Sequence, residues 1–210
     1  GSEMCIRDSM NYIWDFDGTL YDTYPIMLKA LMETFKEFGI EKDEKEVYQK
    51  IKTESIRQMI IDWRLPVPDF DRKYHSYEAQ KNRNSFPFKE TKETLEKLQN
   101  MGGRHFILTH RTVDSTWQLL KRDGLDSLIV DIIGSDSNFP RKPDPSAIYY
   151  FIDNYQLESE KTVMIGDRKL DIEAGNNAGV QTVFLDLDHF SQVVKATYSI
   201  NNLKEMVQIF

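Results

Sequence analysis

Apolar residues along the chain follow two alternating patterns, short continuous runs and runs at helical spacing. The short runs predict β-strands at 12–14, 105–108, 129–133, 162–165 and 181–185. The helical spacing predicts α-helices at 91–101, 114–122, 145–155, 170–178 and 202–209. Strands that alternate with helices imply right-handed crossovers, and therefore a mostly parallel sheet with helices on both faces. The predicted fold class is α/β, with a Rossmann-like, doubly wound parallel sheet as its core.

The segment between the first and second predicted strands has a different composition. It is charged and almost free of glycine, with apolar residues at helix-like intervals, as at Val47 and Ile51. A first helix is predicted to begin at Asp22 or Thr23 and to end near Gly39, and several short helices follow it. Because this segment interrupts the alternation of strands and helices, we interpret it as an inserted all-α cap domain.

These patterns predict the domain boundaries. The core is expected at 10–22 and 86–210, and the helical cap at 23–85. Residues 1–9 have neither strand nor helix periodicity, Gly1 and Ser2 resemble a cleavage scar, and Met10 could be the native start. We therefore expect residues 1–9 to be a tag or a non-native leader, and Cys5 to have no role.

The composition of the chain limits the kinds of partner that we expect it to bind. The chain has 210 residues, 40% of them hydrophobic, and a net charge of −7. The charge argues against a nucleic-acid partner, and no apolar run approaches the length of a membrane span. A single cysteine forms no internal disulfide, and no secretory signal is visible. We expect a cytoplasmic protein, a monomer or weak homodimer, that acts on small molecules.

Two carboxylates follow the first predicted strand. Because side chains alternate along a strand, Asp15 and Asp17 point to one side and Phe16 to the other. Such a pair is tolerable if a divalent cation lies between the acids or if one of them holds a proton. Gly18 then allows a tight turn or close approach to a ligand. The simpler alternative is a strand end with two solvated acids.

The longer motif around these acids reads DFDGTLYDT from Asp15 to Thr23. It resembles the first motif of the haloacid dehalogenase superfamily of phosphohydrolases. The resemblance implies that Asp15 is the nucleophile and that Asp17 donates and accepts the proton. It also implies that Asp17 and Gly18 contribute to phosphate binding and that Mg²⁺ is the cofactor.

A second motif, FILTHR, ends the strand predicted at 105–108. The hydroxyl of Thr109 could donate a hydrogen bond to a phosphate oxygen or cap a helix. The resemblance implies the phosphate role. Many capped relatives carry Asn at the next position, and His110 departs from that pattern. His110 is therefore expected either to contact the phosphoryl or leaving group or to pack under the cap.

A third motif, RKPDP, places Lys142 in a loop directly before a predicted helix. Asp144 is placed to cap this helix, and Pro145 suits its first turn. A loop lysine is ordinarily solvated, but the resemblance implies that Lys142 neutralises the nucleophile and binds the transferring phosphate. Arg141 is expected at the surface.

A fourth motif ends the strand predicted at 162–165 with Asp167, and Asp171 follows four residues later. Either acid alone could be a helix cap. Together with the first motif, the resemblance implies that Mg²⁺ is held by Asp15, Asp167 and the backbone carbonyl of Asp17. Asp171 is expected to orient a metal-bound water or to pair with Lys142.

The four motifs lie at carboxyl ends of predicted strands, where open parallel sheets bind ligands. With the helical insertion, they resemble the phosphoglycolate phosphatase and β-phosphoglucomutase branch. The implied function is Mg²⁺-dependent hydrolysis of a small phosphorylated metabolite through an aspartyl-phosphate. A sugar phosphomutase could use the same site, and a phospho-aspartate signalling module is a further alternative. Arg57, on a predicted cap helix, either reaches a second anionic group or is solvated.

Overall fold

The computed structural model of the chain describes residues 9–190 and 193–210, so the predicted leader lies outside the described residues except for Ser9. The described strands, in chain order, are β1 (Asn11–Trp14), β2 (Tyr21–Asp22), β3 (Phe86–Pro87), β4 (Arg104–Leu108), β5 (Ile129–Ile133), β6 (Thr162–Gly166), β7 (Gln181–Leu185) and β8 (Tyr198–Ile200). The described α-helices are α1 (Tyr24–Glu37), α2 (Glu44–Thr53), α3 (Ile56–Asp62), α4 (Asp69–Lys81), α5 (Thr91–Asn100), α6 (Val113–Arg122), α7 (Ser146–Tyr155), α8 (Lys169–Ala178) and α9 (Met206–Ile209).

The main sheet has six strands in the order β5-β4-β1-β6-β7-β8, and each neighbouring pair is parallel. Successive residues of β1 face opposite sides, so Trp14 packs with α5 and α6 while Ile13 packs with α7 and α8. Helices therefore cover both faces of the sheet. This arrangement confirms the predicted α/β fold with a doubly wound core.

Helices α1 to α4 pack around an apolar cluster of their own. Its largest buried members are Tyr24, Phe35, Phe70 and Tyr74. We call these four helices the cap. The cap leaves and rejoins the core through β2 and β3, which pair antiparallel over two residues each. Strands of two residues are too short to produce a visible alternation, and the sequence patterns did not predict them.

The carboxyl end of the chain differs from its prediction. The helix expected at 202–209 is a 3-10 turn, Leu203–Glu205, followed by α9. Strand β8, which extends the sheet beyond β7, was not predicted. Only Ile200 of its three residues is buried, so it lacks the apolar run that marks the inner strands. None of the helices in the described parts of the chain is long and apolar enough to cross a bilayer.

Candidate active site

The sheet order brings three predicted site residues together. Strand β1 lies between β4 and β6, so Asp15, Thr109 and Asp167 follow three adjacent strands at their carboxyl ends. Backbone hydrogen bonds continue the ladder there, since the amide of Asp15 donates to Ile165 at 2.8 Å. All three side chains are buried. A parallel sheet thus converts three distant motifs into one polar cluster.

The centre of this cluster is a group of three carboxylates, Asp15, Asp167 and Asp171. One oxygen of each lies within 4.8 Å of the others. Asp171 reaches the group because α8 packs tightly on Gly166, where an added Cβ would lie 2.3 Å from the Asp171 Cβ. A buried donor set made entirely of carboxylate oxygens is the kind that Mg²⁺ prefers. These residues fit a magnesium ion.

Lys142 lies beneath the carboxylates and is buried. Its ammonium group donates to Oδ1 of Asp15 at 2.8 Å, to Oδ1 of Asp171 at 2.7 Å and to the Leu108 carbonyl at 3.1 Å. All three of its hydrogens are therefore used. The amide of Arg168 donates to the second oxygen of Asp171 at 3.0 Å, so neither oxygen of Asp171 is free.

Burial and neighbouring charges shift the pKa values of Asp15 and Asp167 in opposite directions. Burial, with repulsion from Asp171 second, raises the pKa of Asp15 to about 8, although Lys142 opposes the shift. Burial also acts against the charged form of Asp167, but Lys52 and Arg168 outweigh it and lower the pKa of Asp167. Asp15 is therefore the carboxyl group that most needs a further cation in order to be ionised.

The carboxylate of Asp17 does not join the cluster. Its Oδ1 accepts a 2.8 Å hydrogen bond from Nη2 of Arg111, and Nη1 of Arg111 donates to Asn82 at 2.7 Å. Because the Asp17 side chain is held by Arg111, only the backbone carbonyl of Asp17 remains as a candidate metal ligand from this residue. The sequence analysis gave Arg111 no role, although it stands two residues after Thr109 in the second motif. Thr109 and Arg111 both follow directly after β4, and the Arg111 amide donates a hydrogen bond to Thr109 Oγ1 at 3.1 Å.

Gly18 allows the turn that follows the two acids. Its φ is +77°, and an added Cβ would lie 2.1 Å from the ring of Tyr24 and 2.6 Å from Oδ2 of Asp167. The Gly18 amide donates to the Tyr21 carbonyl at 2.8 Å. Any contribution of Gly18 to phosphate binding therefore comes from its lack of a side chain, because its own N–H group is already used.

Two residues that the sequence analysis did not select hold Asp167. Thr19 donates its hydroxyl to Oδ1 at 3.1 Å, and Lys52 donates to Oδ2 at 2.8 Å. Thr19 belongs to the first motif and could have been found there. Lys52 had no such signal, because a lysine in an amphipathic helix is normally solvated. Here α2 packs against the core and buries its side chain.

A cavity of about 730 Å³ separates the cap from the strand ends, and Asp17, His110 and Arg57 all line it. Nε2 of His110 has no hydrogen-bond partner, and burial, followed by repulsion from Lys142, lowers the pKa of this imidazole. His110 is therefore neutral and faces the space between the domains. Arg57 is exposed on the cap side, and Arg141, predicted at the surface, is exposed as well and lines the same cavity.

Comparison with known proteins agrees with this arrangement. Residues 12–185 match the family model described as haloacid dehalogenase-like hydrolase. A phosphoglycolate phosphatase from Vibrio parahaemolyticus is 25% identical, over 84% of this chain and 83% of its own. Pyrophosphatase PpaX from Halalkalibacterium halodurans is 26% identical, over 81% and 80% of the two chains.

A solved structure gives the same result. A hydrolase from Streptococcus pneumoniae TIGR4 is 32% identical and has a TM-score of 0.64, over 95% of this chain and 98% of its own. The family match covers most of the chain and includes the four motifs. The resemblance inferred from the motifs is thereby confirmed, and the chain belongs to the haloacid dehalogenase-like hydrolase family.

Proposed function

We propose that the protein is a Mg²⁺-dependent phosphomonoester hydrolase that acts on a small phosphorylated metabolite through an aspartyl-phosphate. The observation that carries the proposal concerns Asp15: Lys142 holds one of its oxygens, and the other is buried with no hydrogen-bond partner in the part of the chain that the structure describes. A carboxylate with one fixed and one free oxygen is suited to nucleophilic attack. The names of the Vibrio phosphatase and the Halalkalibacterium pyrophosphatase agree with phosphoryl chemistry.

In the first step, Oδ2 of Asp15 forms a bond to phosphorus while the bond from phosphorus to the leaving oxygen breaks. Asp17 supplies the proton that the leaving oxygen takes up. In the second step, Asp17 removes a proton from water, the water oxygen bonds to phosphorus, and the bond to Asp15 breaks. Inorganic phosphate leaves and both carboxyl groups return to their starting states.

The remaining residues hold charge and geometry. Lys142 offsets negative charge on Asp15 and on the phosphoryl oxygens, and the hydroxyl of Thr109 is free to donate to one of those oxygens. Magnesium, when bound by Asp15, Asp167 and the carbonyl of Asp17, would neutralise further charge on the phosphoryl group. Asp171, which accepts hydrogen bonds from Lys142 and from the Arg168 amide, fits a positioning role beside the metal.

The experiment is steady-state release of inorganic phosphate from a panel of phosphoglycolate, pyrophosphate, sugar phosphates and p-nitrophenyl phosphate, with and without Mg²⁺. We expect metal-dependent release, and we expect Asp15→Asn to lose at least about 1,000-fold of it because the nucleophile is gone. Retained turnover in Asp15→Asn would refute the assignment. Isomerisation of a sugar phosphate without phosphate release would favour the phosphomutase instead, and a phosphorylated Asp15 that persists for minutes would favour a signalling module.

The role of Asp17 has its own test. Asp17→Ala is expected to slow hydrolysis of alkyl phosphates strongly, because their leaving oxygen needs a proton. Hydrolysis of p-nitrophenyl phosphate should suffer less, since its leaving group departs as a stable anion. Equal losses with both substrates would contradict a proton-donor role.

A further inference from the structure

Three arginines from three separate segments line the cavity between the cap and the core. Arg57 lies on α3 of the cap, Arg141 precedes Lys142 in its loop, and Arg168 lies between β6 and α8. Within residues 9–190 and 193–210, none of the three arginines forms a salt bridge shorter than 4 Å. Three unpaired guanidinium groups are unusual in a protein of net charge −7.

Arg168 is the most constrained of the three. Its side chain is buried, with 6% of the residue exposed, yet Nε has no hydrogen-bond partner among the described residues. A buried guanidinium with an unused N–H is costly unless something else satisfies it. The cavity is the space from which an acceptor could do so.

The three arginines are close enough to influence one another. Burial, followed by repulsion from Arg57, lowers the pKa of Arg141; Asp71 opposes this shift, and Arg168 adds to it. Like charges placed together in a cleft raise the local concentration of anions. The cluster therefore has the electrostatic character of an anion site.

The acidic residues that line the cavity form their ion pairs with groups outside this cluster. Asp17 is paired with Arg111 at 2.8 Å. Glu78 lies 3.1 Å from His75, and Asp71 lies 3.6 Å from the other ring nitrogen of the same histidine. Asp71 also attracts Arg141, and the carboxylates at the strand ends attract Arg168, but among the described residues no acid lies within 4 Å of the three guanidinium groups.

We propose that Arg57, Arg141 and Arg168 bind a second anionic group of the substrate, a carboxylate or a second phosphate. This inference rests on the proposed phosphatase function and narrows its substrate class. Arginine suits the role because its planar fork matches both kinds of anion. Arg57 comes from the cap, whereas Arg141 and Arg168 come from the core, so a doubly anionic substrate would bridge the two.

The experiment compares substrates that differ in the second anion only. Phosphoglycolate is paired with 2-hydroxyethyl phosphate, which replaces the carboxylate by an uncharged hydroxymethyl group. Fructose 1,6-bisphosphate is paired with fructose 6-phosphate as the longer pair. In at least one pair, we expect kcat/KM to be about 10- to 100-fold higher for the doubly anionic member, the range of a hydrogen bond between charged groups.

Variants of the two exposed arginines, Arg57 and Arg141, test whether these residues cause the preference for the doubly anionic substrate. Arg57→Gln and Arg141→Gln should each lower the ratio of kcat/KM within the preferred pair, mainly through KM, and Arg141→Lys should retain part of it. Arg72→Gln is the matched control, because Arg72 is an exposed cap arginine, 74% accessible in its side chain, that pairs with Asp69. The ratio should be unchanged in this control.

The outcomes are distinct. Hydrolysis of both members of each pair at equal rates would overturn the anion site and leave the proposed phosphatase function standing. A preference that survives in both Arg57→Gln and Arg141→Gln would also overturn it. No hydrolysis of any phosphomonoester, including p-nitrophenyl phosphate, would refute the phosphatase function itself, and the anion site with it.

Discussion

The ammonium nitrogen of Lys52 lies 2.8 Å from Oδ2 of Asp167, the second predicted metal ligand. The same nitrogen lies 3.1 Å from Oδ2 of Asp188. Lys52 belongs to the cap, while both acids belong to the core, so this contact joins the two. Thr19 holds the other oxygen of Asp167. A cation that binds Asp167 therefore has to share it with Lys52.

Replacement of Lys52 by Met is expected to tighten Mg²⁺ binding by about tenfold, because it removes a positive charge that competes for Asp167. Without metal, the same change leaves Asp167 buried and unpaired, which should destabilise the fold by about 3–5 kcal/mol. Titration calorimetry with Mg²⁺ and thermal unfolding in EDTA measure the two effects. Lys50→Met is the control, since the ion pairs of Lys50 in the described structure lie within the cap, with Glu54 and Asp62. Unchanged Mg²⁺ affinity in Lys52→Met would contradict the competition.

The raised pKa of Asp15 predicts a pH-dependent stability for the metal-free protein. The folded state keeps a proton that the unfolded chain releases, so the free energy of unfolding should fall as pH rises from about 3.8 toward about 8. Asp15→Asn removes this titration. In EDTA at pH 8, we expect the variant to unfold about 3 °C or more above the wild-type chain, and near pH 4 the difference should vanish.

Thermal unfolding at several pH values measures this difference, and saturating Mg²⁺ serves as the control. With the metal bound, Asp15 is held in its ionised form, so the advantage of Asp15→Asn should disappear or reverse. A variant that is no more stable than the wild-type chain at pH 8 in EDTA would show that burial of Asp15 is compensated by another group.

The main features of the fold could be predicted from the sequence because they depend on local patterns. Strands β1, β4, β5, β6 and β7 each carry a largely apolar run, and the structure has all of them within one or two residues of the predicted bounds. The parts that were missed, β2, β3 and β8, are short and lie at the cap junction or at the sheet edge. Their pairing is fixed by tertiary packing, which leaves no period in the sequence.

The residues of the candidate site also divide into those that a local motif indicates and those that only the fold brings into place. Asp15, Thr109, Lys142 and Asp167 were found because each follows or precedes a regular element within a recognisable motif. Lys52, Arg111 and Arg168 were assigned no role, because the meaning of a charged side chain depends on what the fold places opposite it. For Lys52 and Arg111 that partner is distant in sequence, as Asp167 is for Lys52, and Arg168 lines the cavity without an ion pair among the described residues. Charged residues whose partners are fixed by the fold were thus harder to select from the sequence than those that stand in a motif.

Arg111 is expected to position Asp17 for proton transfer. Its side chain is 8% exposed; among residues 9–190 and 193–210 its partners within 3 Å are Asp17 and Asn82, and Glu78 lies farther away, at 3.9 Å. Arg111→Met should lower kcat with alkyl phosphates by about 10- to 100-fold, and should lower it less with p-nitrophenyl phosphate, which needs no proton. Arg111→Lys should fall between, because lysine keeps the charge but cannot hold both partners. Equal losses with the two substrates would indicate a structural role alone.

Gly18 should be far less tolerant of a side chain than Gly124, although both have positive φ. At Gly124, with φ +67°, an added Cβ meets nothing within 4 Å, so Gly124→Ala should cost only the strain of a left-handed residue, about 1 kcal/mol. At Gly18, the added carbon would overlap the Tyr24 ring, and Lys52 lies over that ring at 4.3 Å. The ring is buried, so Gly18→Ala should cost a further 1–3 kcal/mol, roughly the penalty for overpacking.

Thermal unfolding of the two glycine variants measures the difference, and a double variant tests its cause. If crowding against the ring is responsible, Tyr24→Ala should be less destabilising in the Gly18→Ala background than in the wild-type chain, because the added methyl group then occupies space that the ring has left. Additive losses would mean that the backbone conformation alone makes Gly18 necessary. Because Asp167 Oδ2 lies only 2.6 Å from the same added carbon, Gly18→Ala should also weaken Mg²⁺ binding, whereas Gly124→Ala should leave it unchanged.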